Sequence, residues 1–336
     1  MKQVRIHGPG DVRLDDVAPP DPGPRDAVVR VVACGICGSD VGYAKIGGVA
    51  GPVDAPLPLG HELAGVVARV GSEVRGLAPG TRVVLNPMAG GNRIGNGSAE
   101  GGFCRELLVP NAAAGDVLFP IPDDLPFDRA ALAEPLGVGV HAVDRAGISK
   151  GDRVAIFGAG PIGLMSLAAL RDRGIDDVAI VDLSEARLEI ARTLGARATI
   201  HAGREDVWAR LREVHGTGPW LGMPMVGTDV YIEASGSARV LQDILAQSKE
   251  NARLSVVALH RDEIPVSFLM VLSKQLTIVG ALAYPEDYGQ MIEMLARIDL
   301  GAVITHRFPL EDFHAALAVA QDPAAGAKVL IEISPE

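Results

Sequence analysis

Residues 153–170 read RVAIFGAGPIGLMSLAAL: an apolar run suited to a strand, three glycines spaced Gly158-x-Gly160-x-x-Gly163, then an Ala- and Leu-rich stretch suited to a helix. In that order each glycine has its own use. The first permits a tight turn, the second lets backbone approach a pyrophosphate, and the third lets helix and strand pack closely. The start of the helix then offers free N–H groups to phosphate. A second apolar strand, VAIVD, ends further on in Asp182, at the distance where a carboxylate accepts hydrogen bonds from adenosine ribose hydroxyls. This reading assigns Gly158, Gly160, Pro161, Ile162, Gly163 and Asp182 to a bound dinucleotide. Asp182 would repel the extra phosphate of NADP, so NAD is the expected cofactor; Arg187 is the cation that could reach a 2′-phosphate. The bland alternative is that the glycines only tighten a turn and Asp182 caps a helix starting near Ser184. Strand, glycines, helix and acid in sequence favour the cofactor.

Outward from this stretch, strand-like and helix-like segments alternate. Candidate strands are 153–157, 178–182, 198–200, 230–233, 253–258 and 277–280, with helical stretches between most of them, the signature of a parallel sheet wrapped by crossover helices. Ala130 to Gly147 is apolar at helical spacing. Before about Leu125 the text is Gly- and Pro-rich, with short β-type runs at 27–32, 65–70 and 82–85, and reads as an irregular, mostly antiparallel β domain. After Gly280 come helical stretches at 287–298 and 311–320 and a closing strand at 327–333. The segment HGTGPWLGMPMVG, residues 215–227, is long for a connection and is read as a surface loop.

The 336 residues are more than one core accommodates, and nearly half are hydrophobic, so a packed protein of two domains is expected. A net charge of −11 disfavours nucleic acid and anionic membranes, leaving a small molecule as the expected ligand. No apolar run approaches a membrane span, and MKQVRIHGPGDVRL at the start lacks the apolar core of a signal peptide; a cytoplasmic location is expected. Three cysteines, with Cys104 far from Cys34 and Cys37, do not suggest a disulfide framework.

The stretch ACGICGSDVGYAKIGG, residues 33–48, places Cys34 and Cys37 three apart. A redox pair would sit at the start of a helix in a small α/β domain, whereas this one lies in a β-rich context, and a zinc knuckle needs a second cysteine pair that the chain lacks. A third reading gathers ligands from further away: His61 and Glu62 from LGHELAG and Glu134 from AEPLGVGVHA. Thiolate, imidazole and carboxylate suit zinc, and three protein ligands with one open position mark a catalytic site. Each residue also has an ordinary reading: Cys37 as a buried thiol, His61 as a satisfied loop residue, Glu134 as a helix surface acid.

With CGICGSD, GHELAGVV, GGFCREL, AALAEPLGVGVHAV, VAIFGAGPIGL, VDLSEARLEIARTLGA and VITHRFPLED, the chain resembles the zinc-dependent medium-chain alcohol dehydrogenases, in particular the sorbitol, polyol and butanediol dehydrogenase branch. The resemblance implies an α/β fold in which a Rossmann doubly wound parallel sheet is joined by a split, β-rich, GroES-like catalytic domain. It implies a catalytic domain from 1–135 and 281–336, an NAD-binding domain at 136–280, and zinc in the cleft between them. Carried over by position, Cys37 and His61 match catalytic zinc ligands. Glu62 and Glu134 match two carboxylates that ligate or approach zinc, and which of them binds directly stays open. Ser39 matches the hydroxyl that takes the substrate proton, and Asp40 the carboxylate that orients the zinc-binding histidine. Cys34 becomes a packed neighbour.

Two departures qualify the resemblance. Many relatives carry four clustered cysteines around a structural zinc, but NPMAGGNRIGNGSAEGGFC offers Cys104 alone, so one catalytic zinc and no structural zinc are expected. Gly42 stands where many members have a histidine that passes the proton to solvent. Tyr43 matches an active-site aromatic of the polyol branch, with packing an equal reading. The implied activity is reversible oxidation of a secondary alcohol, a polyol or vicinal diol, to a ketone with hydride transfer to NAD, in a homo-tetramer or homo-dimer. Threonine 3-dehydrogenase-like activity, a zinc-free NADPH-linked quinone or enone reductase, and a non-enzymatic cofactor-binding role are the competing expectations.

Overall fold

The structure is a computed structural model that describes residues 1–322 and 324–335. The chain forms two compact units, Met1–Glu134 with Asp287–Glu336, and Pro135–Glu286. The sequence expectation put the breaks after 135 and 280. The Ala281 N–H donates to the Val256 carbonyl, continuing the sheet ladder past its last strand.

The second unit is built on a six-stranded parallel sheet in the order Ala198–His201, Val178–Asp182, Val154–Phe157, Val230–Glu233, Arg253–Val256, Thr277–Gly280. Its central strands are buried on both faces, which is why VAIF and VYIE are continuous apolar runs and not alternating ones. The chain winds outward from Val154–Phe157 in one direction, then returns and winds in the other. The doubly wound order therefore reverses between Val154–Phe157 and Val230–Glu233. Four of its helices start on side-chain caps, Ser184, Asp206, Ser237 and Ser267, each accepting from a first-turn N–H.

Residues 215–227 are not a plain loop. Thr217–Trp220 and Met223–Val226 pair as an antiparallel hairpin. Leu221 and Gly222 both have positive φ, 49° and 79°, as a two-residue turn matching the strand twist requires. The Trp220 ring lies 4.7 Å from Nζ of Lys274, which donates to the Leu245 and Ala246 carbonyls at the end of helix Ala238–Gln247. Burial holds the Lys274 pKa down to about 8.

The first unit centres on strand Ala27–Ile36, buried along nearly its whole length. It pairs antiparallel with Glu62–Val70 on one side and with the closing strand Lys328–Glu332 on the other. Residues from both ends of the chain thus form one sheet and one core, and Phe103 packs against Phe313 with ring centroids 4.8 Å apart. Burying a phenylalanine this way stabilises by roughly 1.5–3 kcal/mol. No helix among the described residues is long and apolar enough to cross a membrane.

Candidate functional site

Three segments of the first unit converge. Cys37 follows the end of strand Ala27–Ile36 and caps helix Gly38–Ile46, His61 immediately precedes and Glu62 opens strand Glu62–Val70, and Glu134 is the second residue of helix Ala133–Arg145. Ligand atoms of Cys37, His61 and Glu62 all lie within 4.8 Å of one another. Glu134 Oε1 stands 3.9 Å from His61 Nε2. Donors about 2.0–2.3 Å from a tetrahedral zinc lie roughly 3.3–3.8 Å apart, so small side-chain movements bring this set to ligand spacing. His61 is buried, and its Nδ1 has no hydrogen-bond partner among the described residues. Burial alone would lower the His61 pKa, but Asp40, Cys37 and Glu134 outweigh it and hold the pKa well above the usual imidazole value. This buried anionic surrounding attracts a cation, and thiolate, imidazole and carboxylate are zinc donors.

Asp40 faces His61 at ion-pair distance without hydrogen-bonding it. Its Oδ1 is 3.7 Å from His61 Nδ1, beyond hydrogen-bond range. Instead its oxygens accept from the backbone N–H groups of Cys37, at 2.9 Å, and Gly60, at 3.4 Å, so it ties together the two loops that present Cys37 and His61. Burial raises the Asp40 pKa, against the opposing pull of His61. Ser39 Oγ is buried without a partner in the described chain, a hydroxyl still open to a ligand. Tyr43 donates from its hydroxyl to Asn96 Oδ1 at 3.2 Å. Cys34 and Cys104 are fully buried packing residues; burial pushes the Cys104 thiol up to about 12.

Sequence reasoning missed Lys328. Its Nζ lies 2.7 and 2.6 Å from the two Glu62 oxygens and 3.1 Å from the Ile36 carbonyl, with both side chains almost fully buried. Burial pulls the Lys328 pKa down, but the attraction of Glu62 exceeds it and the net shift is upward. The pair forms because the closing strand, Ala27–Ile36 and Glu62–Val70 are adjacent in that order, and because Gly35, opposite Glu62, has no side chain: a Cβ there would overlap Glu62 Oε2. A lysine inside the apolar run AKVLIEI was the signal available in the sequence.

In the second unit, Gly158 follows the strand with φ of 101°, and a Cβ there would sit 2.7 Å from the Ala234 carbonyl oxygen. A Cβ on Gly163 would overlap the Gly158 carbonyl, so this glycine sets the close helix–strand approach. Helix Pro161–Asp172 starts with proline in its first turn and no side-chain cap on Gly160. Its first N–H groups are therefore left free to receive an anion. Asp182 accepts from the N–H groups of Ala159, at 2.6 Å, and Ser184, at 2.8 Å, placing its carboxylate beside the glycine loop. Ser184, not Asp182, caps the following helix. Arg187 Nη1 is 4.0 Å from where a Gly160 Cβ would be.

Residues 23–123 match the alcohol dehydrogenase GroES-like domain and residues 161–297 the zinc-binding dehydrogenase domain. Sorbitol dehydrogenases from Bos taurus and Homo sapiens are each 33% identical, over 98% of this chain and 95% of theirs. The chain belongs to the zinc-dependent medium-chain dehydrogenases. The solved 2R,3R-butanediol dehydrogenase from Bacillus subtilis is 27% identical, with a TM-score of 0.87 over 100% of this chain and 99% of that one. A Sinorhizobium meliloti 1021 protein solved with bound NADP is 29% identical, with a TM-score of 0.86 over 98% of each chain. This dehydrogenase is therefore an oxidoreductase with a Rossmann sheet and a GroES-like domain, acting on a small-molecule alcohol. In this dehydrogenase, residues 92–95 are held by ordinary contacts. Ile94 is fully buried, Asn92 Nδ2 donates to the Pro110 carbonyl, and Gly95 lies so close to Gly60 that a Cβ would overlap its backbone.

Proposed function

We propose that this dehydrogenase oxidises a secondary alcohol of a polyol or vicinal diol to the ketone, reversibly, with NAD as the hydride acceptor and a single zinc per chain. The observation that carries the reading is the buried convergence of Cys37, His61 and Glu62, with Glu134 beside His61. In it, segments 1–135 and 281–336 supply catalysis and 136–280 binds the cofactor. Cys37, His61 and one carboxylate would hold zinc. Both Glu62 oxygens accept from Lys328 and each keeps a second lone pair, so Glu62 can ligate zinc while it holds Lys328.

Bound zinc supplies a Lewis acid that lowers the pKa of the alcohol and stabilises negative charge on its oxygen. Ser39 Oγ accepts the hydroxyl proton, and its lack of another partner in the described chain suits it to a proton that arrives with substrate. With Gly42 in place of a histidine, the relay ends at Ser39, runs on through water, or uses another group. Asp40 holds the Cys37 and Gly60 backbone and so keeps both ligand loops in place. Gly158, Gly160, Pro161, Ile162 and Gly163 would cradle the pyrophosphate of NAD, which would supply the hydride acceptor. Asp182 sits where an adenosine ribose would be bound, and its charge disfavours a 2′-phosphate; Arg187 is the opposing influence.

The homo-oligomer belongs to the same proposal. Among the described residues, strand Thr277–Gly280 is a sheet edge that pairs only with Arg253–Val256, and Phe268, Leu272 and Leu282 nearby are exposed. Such an open, apolar edge suits a second copy of the chain in a dimer or tetramer. Three unpaired thiols suit the reducing cytoplasm. The test is NAD reduction over sugar alcohols, vicinal diols, simple secondary alcohols and threonine, with and without a zinc chelator, beside elemental analysis. Turnover of polyols or diols that disappears on chelation is expected. Metal-free protein reducing enones with NADPH would overturn the reading.

A further inference from the structure

Glu233 ends the central strand Val230–Glu233 and is fully buried. One oxygen, Oε1, accepts from the N–H groups of Ser235 and Gly236 and from the Ser235 hydroxyl. The other, Oε2, lies 2.8 Å from Nε2 of His260. His260 comes from a different segment, just past strand Arg253–Val256, and only 12% of its side-chain surface is exposed. The bonds from Val257 and Ala258 N–H to the Glu233 carbonyl fix the approach of that segment. A residue so anchored, on an otherwise exposed stretch from Arg261 to Glu263, has a fixed ring orientation.

The location gives the ring a use. The strand order reverses between Val154–Phe157 and Val230–Glu233, and dinucleotides lie across the carboxyl ends of the strands at that reversal. Gly158 and Ala234 touch at this point. Asp182 marks the adenosine half on one side of the reversal, so the second nucleoside extends over the ends of Val230–Glu233 and Arg253–Val256, where His260 stands. A carboxylate only accepts hydrogen bonds, so Nε2 carries a proton toward Glu233, and with a single ring proton the imidazole presents Nδ1 as an acceptor. Nδ1 has no partner among the described residues.

We propose that His260, oriented by Glu233, accepts a hydrogen bond through Nδ1 from a hydroxyl of the nicotinamide ribose and so positions the nicotinamide half of the cofactor. The inference rests on the dinucleotide reading above.

The test compares binding of NADH, ADP-ribose and ADP to the wild-type protein, His260→Gln and His260→Ala by titration calorimetry, with circular dichroism to confirm folding. Glutamine retains a donor toward Glu233 but no acceptor at the Nδ1 position. His260→Gln should weaken NADH and ADP-ribose alike by roughly threefold to tenfold, as loss of one neutral hydrogen bond gives, and leave ADP unchanged. His260→Ala should weaken the same two ligands at least as much. Equal weakening of all three ligands would show a merely structural role and overturn the inference, as would no change in any. Weakening of NADH alone would overturn the ribose assignment in favour of the nicotinamide ring. Wild-type protein that binds neither ADP nor NADH would overturn the dinucleotide reading itself.

Discussion

Replacing Lys328 with methionine removes one charge of a buried pair and little else, because methionine fills nearly the same volume as the lysine stem. Glu62 and Lys328 are 0% and 2% exposed, and Nζ contacts both carboxylate oxygens at 2.7 and 2.6 Å. Without Lys328, the Glu62 carboxyl is buried with no counter-charge of its own. Breaking such a pair costs about 3–5 kcal/mol, which for a unit of this size lowers the melting temperature by roughly 6–20 °C. The measurement is thermal unfolding of chelator-stripped protein by circular dichroism at one scan rate. Adding Glu62→Gln to Lys328→Met removes the stranded charge, so the double variant should regain more than half of the loss. Zinc-loaded Lys328→Met should lose less than the stripped variant, because a bound cation beside Glu62 replaces part of the missing charge. A stripped Lys328→Met protein that melts with the wild type, or a double variant that loses the sum of the two single effects, would refute the reasoning.

Gly35→Ala drives a Cβ into Glu62 Oε2, and should destabilise by about 1–3 kcal/mol and lower zinc occupancy by elemental analysis. Cys37→Ser should abolish zinc binding and turnover while NADH binding, measured by titration, is retained; an active, metal-free variant would refute the site. Asp182→Ala should reduce the preference for NAD over NADP at least roughly tenfold in kcat/KM, the change expected when a charge facing the 2′-phosphate is removed. His215 is buried, its Nδ1 2.7 Å from Thr228 Oγ1, and burial lowers its pKa to about 4, against the pull of Asp177. Its folded value lies below the unfolded one near 6.5, so the unfolded chain binds the proton first as pH falls. Stability attributable to His215 is complete above about pH 6.5 and falls by about 3 kcal/mol as pH drops through the window to about 4. His215→Gln should flatten that part of the denaturant-midpoint profile.

The residues whose role is local were readable directly. Strand, glycine loop, helix and Asp182 follow one another along the chain, and each is specified by its neighbours: a buried apolar run, a φ of 101° at Gly158, proline in the first turn of the helix. The zinc-type residues were readable as types, since Cys37, His61, Glu62 and Glu134 sit in distinctive contexts, yet spacing alone could not bring them within 4.8 Å or show how near Glu134 stands. The hairpin at 217–226 was hidden by Pro219 and Pro224, which ordinarily argue against strands and here face each other across the pair. The partners of Lys328 and His260 were hidden for a deeper reason. Lys328 matters because the closing strand lies beside Ala27–Ile36 and one strand away from Glu62, and His260 because its segment folds over the end of Val230–Glu233. Local composition decides whether a segment becomes strand or helix. Which strands become neighbours is decided by how the whole sheet closes around its core, and only there do buried charges find their partners.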